Sequence, residues 1–169
     1  MYNYISEGNM TDYKNFLDEG IYNIQTGKYT TAIENINKSI DLKDDWEIPF
    51  FYRAVANQAL ENFDEAVLDY TKALQLNPKM TDAYYNRAHI SLSRKDSKST
   101  NLDQILSDLD KALELDPNFI DALFAKAATL KKQEKYTEAV EYLDRLLEIE
   151  PEAVQARALK KLLLQKYIN

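Results

Sequence analysis

The feature that most constrains this chain is a pattern that recurs with a period of 34 residues. Asp44, Pro78, Pro117 and Pro151 each follow a stretch with the same order of residue types, and two of the three spacings between them are 34 residues. A fixed period of this length is typical of stacked structural units that contact only their neighbours. Such an array has an extended face rather than a central active-site cavity. The sequence therefore predicts a protein that acts by binding, and it does not identify the partner.

Each period has the hydrophobic spacing of two helices. In residues 47–80, one face of the first helix is formed by Phe50, Ala54 and Asn57. One face of the second helix is formed by Phe63, Ala66, Tyr70, Ala73 and Leu74. Pro49 lies near the start of the first helix, where a missing N–H costs nothing, and Pro78 lies just beyond the second. The pattern predicts an all-α fold of antiparallel helix pairs stacked into a superhelix.

Small residues recur at fixed places in both helices, and each has a large residue four positions away. In the first helices the small residues are Gly20, Ala54, Ala88 and Ala127, and their large partners are Phe16, Phe50, Tyr84 and Leu123. In the second helices Ala32, Ala66 and Ala139 have the partners Ile36, Tyr70 and Leu143. This alternation lets two helices approach closely and interlock their side chains.

These positions resemble the tetratricopeptide repeat, which places aromatic, small, alanine and proline residues over about 34 residues. In residues 47–80 the motif positions are Phe50, Ala54, Asn57, Ala66, Tyr70, Ala73 and Pro78. The resemblance implies a right-handed α-solenoid with four repeats, residues 13–46, 47–80, 81–119 and 120–153. The first repeat departs from the motif with Asp44 in place of proline. The motif's leucine before the small residue is replaced by Glu19, Arg53, Arg87 and Lys126, a row expected to face solvent or to pair between helices.

Residues 154–169 are predicted to form one more amphipathic helix that caps the stack. Its apolar side would contain Val154, Ala158, Leu159, Leu162 and Leu163, and its lysines would give it the polar outer face that a terminal unit needs. The alternative is an oligomerisation helix, because Leu162, Leu163 and Leu164 in a row cannot all point inward. A homodimer is therefore possible.

Two further segments lie outside the regular pattern. Residues 1–12 lack clear helix caps and a sustained period, and they are predicted to form an N-terminal tail. The third repeat is longer than the others, and its extra residues lie in Arg94–Asn101 between the two helices. Insertions in stacked repeats form exposed loops, so this polar segment is interpreted as tolerated length, with a contact or modification site as the alternative.

Charge and composition exclude several classes of function. The formal net charge is −7, which opposes general binding to nucleic-acid phosphates. The chain has no cysteine, and so no disulfide framework or thiolate metal site. No apolar run is long enough for a membrane span, and no signal-peptide pattern is present. We therefore expect a cytoplasmic protein that binds neither nucleic acid nor membranes.

The sequence contains no pattern typical of catalysis. His89 is the single histidine, and there is no second histidine or cysteine to complete a metal site with it. The glycines Gly8, Gly20 and Gly27 are too far apart for a phosphate-binding loop. The expectation is a protein that is not an enzyme, with no catalytic residues, no cofactor and no metal.

The resemblance implies a concave groove lined by the first helices. The residues at its lining positions that are expected to contact a ligand are Leu17, Ile21, Phe51, Tyr52, Val55, Tyr85, Asn86, His89 and Phe124. Because most are apolar or aromatic, the predicted ligand is an apolar or amphipathic peptide or helix of another protein. The function predicted is that of an adaptor. The alternative is a self-associating scaffold or chaperone-like oligomer that uses the C-terminal helix or the groove.

The same comparison opposes one known ligand of the family. Relatives that bind the C-terminal carboxylate of heat-shock chaperones do so with lysine, asparagine and arginine side chains. Here Asn86 alone matches, while Phe51, Val55, Asp121 and Ala125 stand where the other side chains are needed. Asp82 and Asp121 would repel a carboxylate, so a chaperone tail is not the expected partner.

Overall fold

The computed structural model describes residues 9–93 and 101–168, and these residues form an all-α fold. The first helices of the repeats are α1 (Asn9–Gln25), α3 (Glu47–Ala59), α5 (Thr81–Ser93) and α7 (Ile120–Lys132). The second helices are α2 (Tyr29–Leu42), α4 (Phe63–Leu76), α6 (Leu102–Leu115) and α8 (Tyr136–Ile149). Helix α9 (Val154–Leu163) follows and continues into a short π-helical segment, Leu164–Ile168. The predicted fold of helix pairs followed by one further helix is confirmed.

Two predicted segments differ in how far the structure describes them. Helix α1 begins at Asn9, inside the segment that the sequence predicts as a tail. Most of the predicted insertion, residues 94–100, lies outside the described residues, as do residues 1–8. Asn101 is described, and its side chain caps α6 by accepting a hydrogen bond from the backbone N–H of Gln104.

The chain divides into two compact units, Met1–Ala83 and Tyr84–Asn169. In the first unit, α1 packs on α2, α2 on α3, and α3 on α4. In the second unit, α6 packs on α7, α7 on α8, and α8 on α9. These contacts between helices that are adjacent along the chain are those expected for repeats that bury their apolar faces against neighbours.

The predicted prolines end the second helices in the same way. Pro78, Pro117 and Pro151 each follow the residue that caps the helix C-terminus. A residue before proline is forced toward extended backbone, and Asn77 accordingly has φ −139° and ψ 97°. Lys43 caps α2 with a similar φ of −154°, although Asp44 follows it. The turn geometry is therefore kept in the first repeat without proline.

Close approach between helices explains why small residues recur at the same positions of successive repeats. Ala32, Ala54, Ala66 and Ala127 are fully buried, with 0% of their surface exposed. A Cβ added to Gly20 would lie 2.5 Å from Cγ1 of Ile36, its neighbour on α2. Since real Cβ atoms do not approach that closely, α1 and α2 can pack at this distance only because position 20 is glycine.

Candidate functional site

In the first compact unit, the predicted binding residues on α1 and α3 separate into buried and accessible ones. Leu17 is 3% exposed and packs in the interior, so its side chain contributes to the core rather than to a binding surface. Ile21, Phe51, Tyr52 and Val55 are each partly exposed. In this unit the accessible residues of the predicted binding site therefore lie mainly on α3.

Phe51 is held in place by two aromatic neighbours. Its ring centroid lies 5.5 Å from that of Tyr52 and 5.6 Å from that of Tyr70, both in edge-on arrangements. Tyr70 is fully buried, and its hydroxyl donates a hydrogen bond of 3.1 Å to Oε1 of Gln58. The core thus fixes one edge of Phe51. An aromatic ring that is already ordered loses little conformational entropy when it binds a ligand.

In the second unit, α5 and the start of α7 bring a second aromatic group together. The ring centroid of Tyr85 lies 5.0 Å from that of Phe119 and 5.8 Å from that of His89. Burial raises the pKa of Tyr85, and the negative charge of Asp121 raises it further. Asn86 is partly exposed and His89 is exposed. Tyr85 therefore lies in an apolar surrounding within the electrostatic reach of a carboxylate.

Phe124 lines an open cavity of about 390 Å³ where α7, α8 and the start of α9 meet. Its apolar walls come from Ile120, Phe124, Leu146, Ala153, Val154 and Ala156, and its polar walls come from Asp121, Glu150 and Gln155. Val154 is 71% exposed, although it is a large apolar residue. Phe124 is a binding residue predicted from the sequence, whereas residues at the start of α9 were predicted to cap the stack or to mediate oligomerisation, not to line a binding site with Phe124.

The charge in this cavity is negative. Asp121 and Glu150 are both exposed, and within residues 101–168 no lysine or arginine forms an ion pair with either of them. Glu150 caps the C-terminus of α8, whose last turn contains no basic residue. Because a helix C-terminus already carries partial negative charge, this carboxylate adds to the local negative potential instead of offsetting it.

The charged residues that replace the motif's leucine were expected either to face solvent or to pair between helices. Three of them, Arg53, Arg87 and Lys126, pair between helices. Arg53 on α3 donates two hydrogen bonds to Asp69 on α4, of 2.8 and 2.7 Å, and a third of 2.7 Å to Asn37 on α2. Arg87 on α5 makes the same double contact with Asp108 on α6, at 2.8 and 2.7 Å. Glu19, the first member of the row, is exposed.

Lys126 on α7 continues this row with a different partner set. It forms an ion pair with Asp110 on α6 and donates a hydrogen bond of 2.6 Å to the hydroxyl of Tyr142 on α8. Burial lowers the pKa of Lys126, but the hydrogen bonds to Asp110 and Tyr142 and their charges outweigh burial and raise it. The regular spacing could have revealed these pairs, because Asp69 and Tyr142 each lie 16 residues after their partner.

Helix α9 packs on α8 as the first helix of a further repeat would. Its outer side, however, lacks the large and small residues that the first helices present to their second helices. Lys160 lies 34 residues after Lys126 and pairs with Asp144 on α8, as Lys126 pairs with Asp110 on α6. Ala156 and Leu163 bury the inner side of α9 against the second unit. On the outer side, Arg157 and Lys161 are exposed. In the π-helical segment that continues α9, Tyr167 stacks on Tyr136 at the start of α8, with ring centroids 4.2 Å apart.

Residues 9–93 and 101–168 contain no group of three or more acidic or histidine side chains able to hold a metal ion. Over the same ranges, no helix has the combination of length and apolar character required to cross a bilayer.

Two family models match the chain in sequence. That of the tetratricopeptide repeat matches residues 49–80, and that of the Fis1 C-terminal tetratricopeptide repeat matches residues 120–168. The chain contains tetratricopeptide repeats. The first match includes α3 with Phe51, and the second includes the cavity beside Phe124. Repeats of this kind generally act as non-catalytic scaffolds that bind other proteins.

Solved structures share this fold at low sequence identity. MamA is 22% identical with a TM-score of 0.75, over 88% of this chain and 84% of MamA. PilF of Pseudomonas aeruginosa is 17% identical with a TM-score of 0.78, over 95% of this chain and 71% of PilF. The first tetratricopeptide domain of Spaghetti, solved with the HSP90 peptide SRMEEVD, is 24% identical with a TM-score of 0.67, over 73% of this chain and 94% of that domain. Comparison with curated protein sequences gives no match.

Proposed function

We propose that this protein is a non-catalytic adaptor that binds an apolar or amphipathic segment of another protein through the exposed faces of its first helices. The observation that carries the proposal is the placement of partly exposed aromatic side chains, Phe51 and Tyr52 on α3, Tyr85 on α5 and Phe124 on α7. Aromatic residues that are ordered by the core and open on one side supply much of the binding energy at protein interfaces. A peptide helix with apolar anchors at helical spacing is a suitable ligand for exposed aromatic side chains of this kind.

The proposal excludes the carboxylate tail of a heat-shock chaperone as the ligand. The related Spaghetti domain was solved with an HSP90 peptide, but a lysine and arginine clamp for a terminal carboxylate is missing from the matching positions here. Ala125 is 9% exposed, and Asp121 would repel the carboxylate. A terminal carboxylate that is not neutralised loses the charge-assisted hydrogen bonds on which its binding depends.

Self-association is the second candidate function. It is favoured by exposed apolar residues near the end of the described chain, where Leu162 is 43% and Tyr167 is 40% exposed. In this alternative the C-terminal helix or the groove packs against a second copy.

The cytoplasmic location and the absence of catalysis, nucleic-acid binding and membrane binding also stay predictions.

Affinity capture from the native host, followed by mass spectrometry, tests the adaptor function. We expect the wild-type chain to retain a partner whose affinity falls by at least about 2 kcal/mol, or roughly 30-fold, in the Phe51→Ala/Tyr85→Ala variant. The matched control is Leu68→Ala, which removes an apolar side chain that is 70% exposed on the second helix α4. Circular dichroism checks that helix content is kept. Equal binding by the wild type and the double variant would contradict the proposal.

A further inference from the structure

We propose that the cavity beside Phe124 binds an apolar side chain flanked by a lysine or arginine, both carried by one peptide segment of a partner protein. This inference rests on the proposed function and specifies the chemistry of the ligand. It combines two properties of the same site, an apolar wall and a negative charge that no lysine or arginine within residues 101–168 pairs with.

The shape and lining of the cavity suit an apolar side chain. Its volume of about 390 Å³ is within the range of roughly 300–1,000 Å³ typical of sites that enclose small ligands. Ile120, Phe124 and Leu146 form its inner side, and Val154 leaves most of its surface exposed at the rim. An apolar side chain placed here would remove both walls from water, which is favourable in proportion to the area covered.

Asp121 and Glu150 give the cavity its negative charge. Both carboxylates line the cavity, and among the described residues that line it none is basic. Glu150 lies at the C-terminus of α8, where a cation is stabilised by the partial negative charge of the last carbonyl groups. A lysine or arginine beside the apolar anchor would meet both carboxylates and this helix end, whereas an acidic residue would be repelled by all three.

Two other cavities in the described residues lack this combination. A cavity of about 410 Å³ in the first unit contains Arg53 together with Glu65 and Asp69, so it carries both signs of charge, and Arg53 already pairs with Asp69. A cavity of about 370 Å³ in the second unit contains Lys135 together with Glu134 and Glu138, so it carries both signs of charge. In both cavities a basic side chain of the protein already lies beside the carboxylates. The charge of the Phe124 cavity therefore points to a basic ligand.

The test uses two synthetic peptides that bind as amphipathic helices. Both have leucines on one face; in the first the flanking residues are lysines, and in the second they are glutamates. Fluorescence anisotropy measures the affinity of each peptide for the full chain and for the Asp121→Asn/Glu150→Gln variant. The matched control is Glu141→Gln/Glu148→Gln, which makes the same change in net charge at two exposed residues of α8 outside the cavity.

We expect the lysine peptide to bind the wild type and the control equally and the glutamate peptide to bind neither. Binding of the lysine peptide should weaken about fivefold in the Asp121→Asn/Glu150→Gln variant, since two exposed ion pairs are lost. Phe124→Ala should weaken it as well, with helix content unchanged.

Three results would overturn the inference, and each leaves the proposed function to its own test. The first is failure of the lysine peptide to bind at all. The second is equal binding of both peptides, unaffected by the loss of the two carboxylates, which would leave an apolar site without charge selection. The third is self-association of the wild type that the Asp121→Asn/Glu150→Gln variant abolishes, because the cavity would then belong to a second copy. Loss of native partners in the Phe51→Ala/Tyr85→Ala variant is independent of all three.

Discussion

At the scale of single residues, the charged row shows how a repeat can replace a core leucine with a cation. The side chains of Arg53 and Asp69 are only 25% and 10% exposed, so both charges have lost much of their hydration. The loss is offset because the guanidinium makes two hydrogen bonds to the carboxylate and a third to Asn37. Such a pair adds little stability compared with a well-packed apolar pair, but removing one partner leaves an uncompensated charge.

The Arg53–Asp69 pair can be tested by a double-mutant cycle. We expect Asp69→Ala to lower the free energy of unfolding by about 2–3 kcal/mol, because it leaves the partly buried Arg53 guanidinium without its carboxylate. Arg53→Met/Asp69→Ala should be more stable than Asp69→Ala alone, since the unpaired cation has been removed as well. Urea denaturation followed by circular dichroism measures the wild type, the single variants Asp69→Ala and Arg53→Met, and the double variant. If the two single effects add in the double variant, the pair is not coupled in this way.

At the scale of elements, the turn between the two helices of a repeat has the same geometry in three places. Gly27, Glu61 and Glu134 occupy equivalent positions and have φ values of 73°, 60° and 61°. After α3, the N–H of Asn62 donates to the carbonyl of Asn57, and the N–H of Glu61 donates to that of Gln58. This is the Schellman arrangement, which satisfies the last carbonyls of a helix and favours glycine at the left-handed position. Glu61 and Glu134 therefore hold a strained backbone.

Replacing one of these glutamates tests the strain. We expect Glu61→Gly to raise the free energy of unfolding by about 0.5–1 kcal/mol, because glycine has no Cβ to oppose a positive φ. Glu61→Ala is the matched control, since it removes the same charge but keeps the Cβ and should give no such gain. Thermal and urea denaturation of the three proteins provide the comparison. Equal stability of the glycine and alanine variants would show that the backbone at position 61 is not strained.

At the scale of the whole molecule, the sequence predicts what is periodic and misses what depends on packing at a single place. The helix pairs, the proline positions and the small residue at Gly20 follow from the period, because each repeat must bury its faces in the same way. Leu17 occupies the same position in its repeat as Phe51, and yet it is 3% exposed. The cavity beside Phe124 was also missed, because it needs the start of α9, which lies beyond the last full repeat.

Helix α9 shows how the stack is closed to further helix pairs. At the positions where the first helices have Gly20, Ala54, Ala88 and Ala127, α9 has Lys161. Where they have Phe16, Phe50, Tyr84 and Leu123, it has Arg157. Both of these side chains are exposed. A long cation at the small position prevents the close approach that a second helix would need, and the two charges oppose burial.

Restoring the repeat residues should therefore open this face to self-association. In the Arg157→Leu/Lys161→Ala variant, α9 would present the large and small pair of a first helix, and no second helix among the described residues covers it. We expect its mass, measured by light scattering coupled to gel filtration, to rise with protein concentration beyond that of the wild type. Lys79→Leu/Lys132→Ala is the matched control, because it makes the same change in charge and apolar content at two other exposed lysines. If the variant and the control have the same mass at every concentration, Arg157 and Lys161 do not close the stack. In that case the exposed Leu162 and Tyr167 become the residues to test for self-association.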